Sequence, residues 1–168
     1  MLLASRIRLE KKAKEWVAAL QKSIAQTDTG QYLPRAEREA MAATVGYAFT
    51  DTGFELFGGQ YIWTYEYGRG PTVNDGDGAV RRYVRRYIDE EGMVPKGQDK
   101  NGMPIDEDTL AFFISRKIHE TGSKPWRNNQ PTGVLSGIIN DEAVVGLEQL
   151  LSEPYAIEIA QYLTKAAA

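Results

Sequence analysis

The chain has 168 residues, 42% hydrophobic and 26% charged, with a net charge of −3 and no cysteine. Those values fit one soluble globular domain over residues 1–168 and exclude disulfides and thiolate metal sites; the net charge argues against a dedicated nucleic-acid binder. No apolar run reaches the roughly 18 residues that cross a bilayer, and MLLASRIRLEKKAKEW meets charge too early for a signal peptide, so the expected setting is a cytosol or a particle assembled there.

Arg8 to Ala25 carries the clearest helical pattern, with Leu9, Ala13, Trp16, Val17, Leu20 and Ile24 on one stripe at spacings of three and four. TDTGQ ends it, with Gly30 available for a left-handed stop. Pro34 opens a turn or short helix before the good helix formers from Ala36 to Ala43. The pattern then changes to period two. Val45, Tyr47 and Phe49 alternate, DTG turns the chain, and Phe54 and Leu56 resume, which predicts a β-hairpin. Tyr61 to Tyr67 alternates as a strand would, yet also pairs Tyr61 with Tyr65 and Ile62 with Glu66 at helical spacing, so strand and short helix both stay open.

GRGPTVNDGDG reads as loop. AVRRYVRRYIDEEG predicts an amphipathic helix with Val80, Tyr83, Val84, Tyr87 and Ile88 inward, Arg81, Arg82, Arg85 and Arg86 outward, and Gly92 at its end. VPKGQDKNGMPID is a surface excursion. A second helix follows from the Asp106 cap through a stripe of Leu110, Phe113, Ile114 and Ile118 to Gly122. SKPWRNNQPTG reads as loop and VLSGII as a short strand or turn of helix. Asp141 to Leu151 and Tyr155 to Lys165 are expected as two helical pieces, separated or kinked by Pro154. The sum is an α+β fold: a small antiparallel β-sheet packed against a long N-terminal helix and further helices, with a helical and loop insertion at about 79–126 and an acidic helical C-terminus at about 140–168.

Charge is unevenly spread. From Met1 to Arg38 there are eight Lys/Arg against four Asp/Glu; from Asn140 onward one lysine stands against five acids. Opposite signs at opposite ends suit subunits that meet head to tail, and equally two separately solvated helices.

Chemistry-bearing patterns are sparse. Gly68-Arg69-Gly70-Pro71 could face an anion, but it lacks the lysine-bearing phosphate-loop spacing, and a stiffened turn gives the same composition. Asn74, Asp75 and Asp77 faintly suggest a calcium loop without its bidentate glutamate. His119 is the sole histidine; Ser115 shares its helix face but nothing marks it as activated. No catalytic residue, metal site or cofactor is expected. The arginine face at Arg81, Arg82, Arg85 and Arg86 is the candidate for contact with a neighbouring subunit or with DNA, since four like charges with no acid between them can reach carboxylates or phosphates.

The order of pieces, with Tyr61, Glu66, Gly68 and Pro71 in a Y-x-x-x-x-E-x-G, G-x-x-P arrangement and the run AFFISRKIHETGSK at Ala111 to Lys124, resembles the neck or tail-completion family of tailed bacteriophages, also described as head–tail joining or minor tail proteins. The resemblance runs from about Leu9 to Trp126. It implies an α+β subunit of a homo-oligomeric ring, of 6 or 12 copies, that joins the portal or connector adaptor to the tail or tail terminator. It also implies no enzymatic activity, transient DNA contact in the lumen, no membrane partner, and a location in the virion neck or tail after assembly in the host cytoplasm. In that family the segment matching Tyr61 to Tyr67 is often a short helix. The expected contact residues are Tyr61, Trp63, Tyr65, Glu66, Tyr67, Arg69, Pro71 and Trp126, because Tyr and Trp bury large area at small entropic cost. Glu66 and Arg69 are expected to orient each other or to pair across a subunit boundary.

Overall fold

The computed structural model describes residues 3–51, 53–72, 78–99 and 101–166. Within them lie seven helices and one two-stranded sheet, an α+β fold. α1 spans Leu3–Gln26, α2 Arg35–Ala43, β1 Gly46–Phe49, β2 Phe54–Phe57, α3 Tyr61–Tyr67, α4 Ala79–Glu90, α5 Glu107–Thr121, α6 Lys124–Asn128 and α7 Asp141–Ala166.

α1 buries the stripe its spacing predicts: Leu9, Ala13, Trp16, Leu20 and Ile24 are all enclosed. The helix ends at Gln26, so Gly30 takes its positive φ in the following loop rather than as the stop itself. α2 begins where Pro34 presents its carbonyl to the amides of Glu37 and Arg38. The hairpin pairs Gly46 with Phe57, Tyr47 with Leu56, Ala48 with Glu55 and Phe49 with Phe54. This register places Leu56 against the core and Phe54 against the Trp16 ring, with centroids 5.8 Å apart.

Two apolar clusters result. The first joins Leu20, Ile24, Ala42, Val45, Ile62, Tyr65 and Val134, from α1, α2, the hairpin entry, α3 and the turn after Gly133. Burying a branched aliphatic side chain contributes about 1.5–3 kcal/mol, so Leu20, Ile24, Val45, Ile62 and Val134 each stabilise the fold on that order. The second joins Val84 and Ile88 of α4 to Ala111 and Ile118 of α5. Tyr87 ties α4 to the loop after α1: its ring meets Tyr32 edge-on at 5.5 Å and its hydroxyl donates to Asp28 at 2.7 Å.

Of the two alternatives open for Tyr61–Tyr67, the structure takes the helix. Other sequence expectations are corrected. α6 is a one-turn helix where loop is expected, started by Pro125 in its first turn. The VLSGII segment forms a turn and not a strand, with Ile138 and Ile139 amides bonded to the Leu135 carbonyl. α5 is capped by Asp106, which accepts from the Thr109 amide at 2.7 Å, but its buried face is Ala111, Ser115 and Ile118, while Phe113 is exposed. α7 runs unbroken through Pro154, whose ring is buried, and the Ser152 hydroxyl donates to the nearby Gln149 carbonyl. α7 lies against α1, with an Arg8–Glu153 ion pair at 3.0 Å.

Candidate assembly interface

α3 has seven residues and two unlike faces. Ile62, Tyr65 and Glu66, at i, i+3 and i+4, point inward; Tyr61, Trp63 and Tyr67 point outward. Tyr61 and Trp63 are 68% and 64% exposed. Trp63 and Tyr67, one turn apart, stack with centroids 5.9 Å apart and planes 12° from parallel.

The inward face corrects two expected contact residues. Tyr65 is in the first apolar cluster, and its hydroxyl donates to the Thr27 carbonyl at 2.6 Å. Burial holds its phenol above the ordinary range. Glu66 is 0% exposed and makes no ion pair with Arg69; its partners lie 66 to 70 residues later in the chain. Its carboxylate accepts from the Ser136 hydroxyl at 2.5 Å, the Leu135 amide at 2.9 Å, the Thr132 hydroxyl at 3.0 Å and the Ser136 amide at 3.1 Å. Burial alone raises its pKa. The donors from Ser136, Leu135 and Thr132 outweigh burial and hold it below the usual carboxylate value. Glu66 therefore pins the 132–136 turn onto α3 as an internal anion, and cannot reach a neighbouring subunit.

The GRGP loop is built into a corner. The Arg69 amide donates to the Ser123 hydroxyl and the Ser123 amide donates to the Arg69 carbonyl, both at 2.8 Å. The Thr72 amide donates to the His119 carbonyl at 2.9 Å, and the Thr72 hydroxyl meets His119 Nδ1 at 2.5 Å. Gly68 and Gly122 hold φ at +83° and +82°, and a Cβ on either would lie 2.5–2.7 Å from atoms of Trp126. Trp126 is thus seated on both loop edges while its ring stays about half exposed. Arg69 is half-buried and works through its backbone, and Pro71 is exposed. His119 is engaged by Thr72, and the Ser115 hydroxyl donates to the Phe112 carbonyl, so the two make no nucleophile–base pair. The calcium-loop candidates Asn74, Asp75 and Asp77 lie outside the described residues.

The arginine face of α4 is less free than its sequence implies. Arg85 pairs with Asp89 on its own helix, with Glu107 at 2.6 Å and with Asp108 at 3.0 Å. Arg86 pairs with Glu37 of α2 at 2.8 Å. The Arg81 guanidinium lies 5.6 Å from the Phe112 ring centroid. Arg82 is exposed, on the same turn as Arg81. Asp89, four residues on, is a local partner of Arg85; the other acids that neutralise this face come from α2 and α5, which the spacing within α4 does not reveal.

Among the described residues, no group of three His, Asp or Glu is placed to hold a metal ion, and no helix is long and apolar enough to cross a membrane. Comparison with protein-family models, curated proteins and solved structures returns no match.

Proposed function

We propose that this chain is a non-enzymatic structural subunit of a tailed-bacteriophage neck, assembling as a ring between the portal or connector and the tail. The observation that carries this reading is the outer face of α3. A seven-residue helix already anchored by Ile62, Tyr65 and Glu66 leaves Tyr61, Trp63 and Tyr67 in water, beside a loop that seats a half-exposed Trp126. Rigid aromatic rings on an anchored scaffold are what a recurring protein–protein contact requires. The resemblance of the Tyr61–Pro71 and Ala111–Lys124 segments to neck and tail-completion proteins supports the same conclusion.

A nucleic-acid-binding accessory has weaker support, because Arg85 and Arg86 already face carboxylates. The test is electron microscopy and light scattering of the purified chain, alone and with connector particles. Rings or recruitment to the connector are expected, and Trp63→Ala with Tyr67→Ala should abolish them without unfolding the chain. A protein that stays monomeric and ignores the connector removes this reading.

A further inference from the structure

The surfaces of α1 and α7 that face away from the core carry matching patterns. On α1, Ile7, Lys11, Lys14, Ala18 and Lys22 recur at spacings of four, three, four and four, all exposed, opposite the buried stripe. On α7, Val144, Glu148, Leu151, Tyr155 and Ile159 recur at the same spacings; four of them are exposed and Leu151 is half-buried. The α1 stripe is basic with an apolar end. The α7 stripe is apolar apart from Glu148, and Asp141 continues it one turn earlier. Each spans about 22 Å of helix.

The charges on these stripes are largely unspent. Lys14 pairs with Glu10 at 2.7 Å, but Lys11 and Lys22 have no ion-pair partner among the described residues, and neither have Asp141 and Glu148. Within one chain α1 and α7 meet through other residues, Arg8 with Glu153.

We propose that the outer stripe of α7 is the docking surface for the outer stripe of α1 of a second copy of this chain. The contact is head to tail, with the two helices antiparallel. That direction opposes the helix dipoles favourably. It sets Lys22 between Asp141 and Glu148, lays Lys11 over the Tyr155 ring, and brings Ile7 against Ile159. The two stripes differ, so the contact is heterologous and each copy offers one of each, which closes a ring or extends a filament. The contact rests on the self-assembly reading above and names its mating surfaces.

The experiment uses the full chain. Sedimentation velocity across a concentration series compares wild type, Lys22→Glu, Asp141→Lys/Glu148→Lys, and an equal mixture of the two variants. All three positions are exposed, and circular dichroism checks that the fold is retained. Each variant alone should associate on the order of tenfold more weakly, because like charges then face each other in every contact. The mixture should regain association, because each variant's α1 meets the other's α7 with opposite charge. Wild-type association that Lys22→Glu leaves unchanged overturns this contact but leaves self-assembly standing. Loss in the α7 variant alone overturns it in favour of an α7-to-α7 dimer. A wild type that stays monomeric at every concentration overturns this contact, and the neck reading falls with it when the chain also ignores connector particles.

Discussion

α1 and α7 are of nearly equal length, 24 and 26 residues, and have opposite fates. α1 sends a full stripe into the interior and keeps its charges outside. α7 is the more apolar in sequence, yet Pro154 is its one enclosed side chain among those described, and Val144, Val145, Tyr155, Ile157 and Ile159 face water. The difference teaches that apolar content does not by itself commit a helix to a core. α1 separates its residues by face, so one docking event buries the whole stripe; α7 spreads them around its circumference, so α1 covers one flank and leaves the rest. α3 repeats the contrast on a smaller scale, with Tyr65 sealed and Trp63 exposed two residues apart.

The sharpest way to break that contrast is to truncate matched residues. Ile24→Ala in α1 should cost about 3–4 kcal/mol, because the cavity lies in the first cluster. Ile159→Ala in α7 should stay within about 0.5 kcal/mol in the isolated chain. Equal losses in denaturant titrations would erase the distinction between the two helices.

The inner face of α3 comes next. Glu66→Gln replaces one acceptor oxygen with a donor that faces either the Ser136 amide and hydroxyl or the Leu135 amide and Thr132 hydroxyl, and should cost about 2–3 kcal/mol. The same group sets an acid limb. Its folded pKa lies below the ordinary glutamate value, so its contribution is present above about pH 4.3 and is lost as pH falls through the folded value. Stability measured from pH 6 down to pH 2 should fall less steeply in Glu66→Gln than in wild type; parallel curves would mean that Glu66 carries none of the acid limb.

Gly68→Ala forces a side chain into the left-handed region and against the Trp126 backbone, for an expected loss of about 1–2 kcal/mol and a shift in tryptophan fluorescence. The smallest expected effect is on the arginine face. Arg86→Ala breaks one exposed ion pair with Glu37 and should change thermal stability by less than about 1 kcal/mol. A steep loss of salt-dependent DNA binding in that variant would restore the nucleic-acid reading.

Much of the framework was legible in sequence because it rests on local rules. The α1 stripe, the hairpin around DTG, the Asp106 cap and the inward residues Val84, Tyr87 and Ile88 of α4 all follow from periodicity or turn chemistry over a few neighbouring residues. Of the expected contact residues, Tyr61, Trp63, Tyr67 and Trp126 are exposed, whereas Tyr65 and Glu66 are buried. A buried glutamate gives no local signal when the groups that satisfy it come 66 to 70 residues later.

By itself, then, the sequence determined which segments can be helices or strands and which faces of α1 and α4 are apolar, since those properties depend on spacing alone. Tertiary structure decided the rest. It chose helix for Tyr61–Tyr67, because Ile62, Tyr65 and Glu66 meet the core only at that pitch. It carried α7 through Pro154 against α1, and it gave Arg85 the carboxylates of α5 and Arg86 that of α2. Each outcome depends on groups far apart in the chain, brought within hydrogen-bonding or packing distance only when the fold closes.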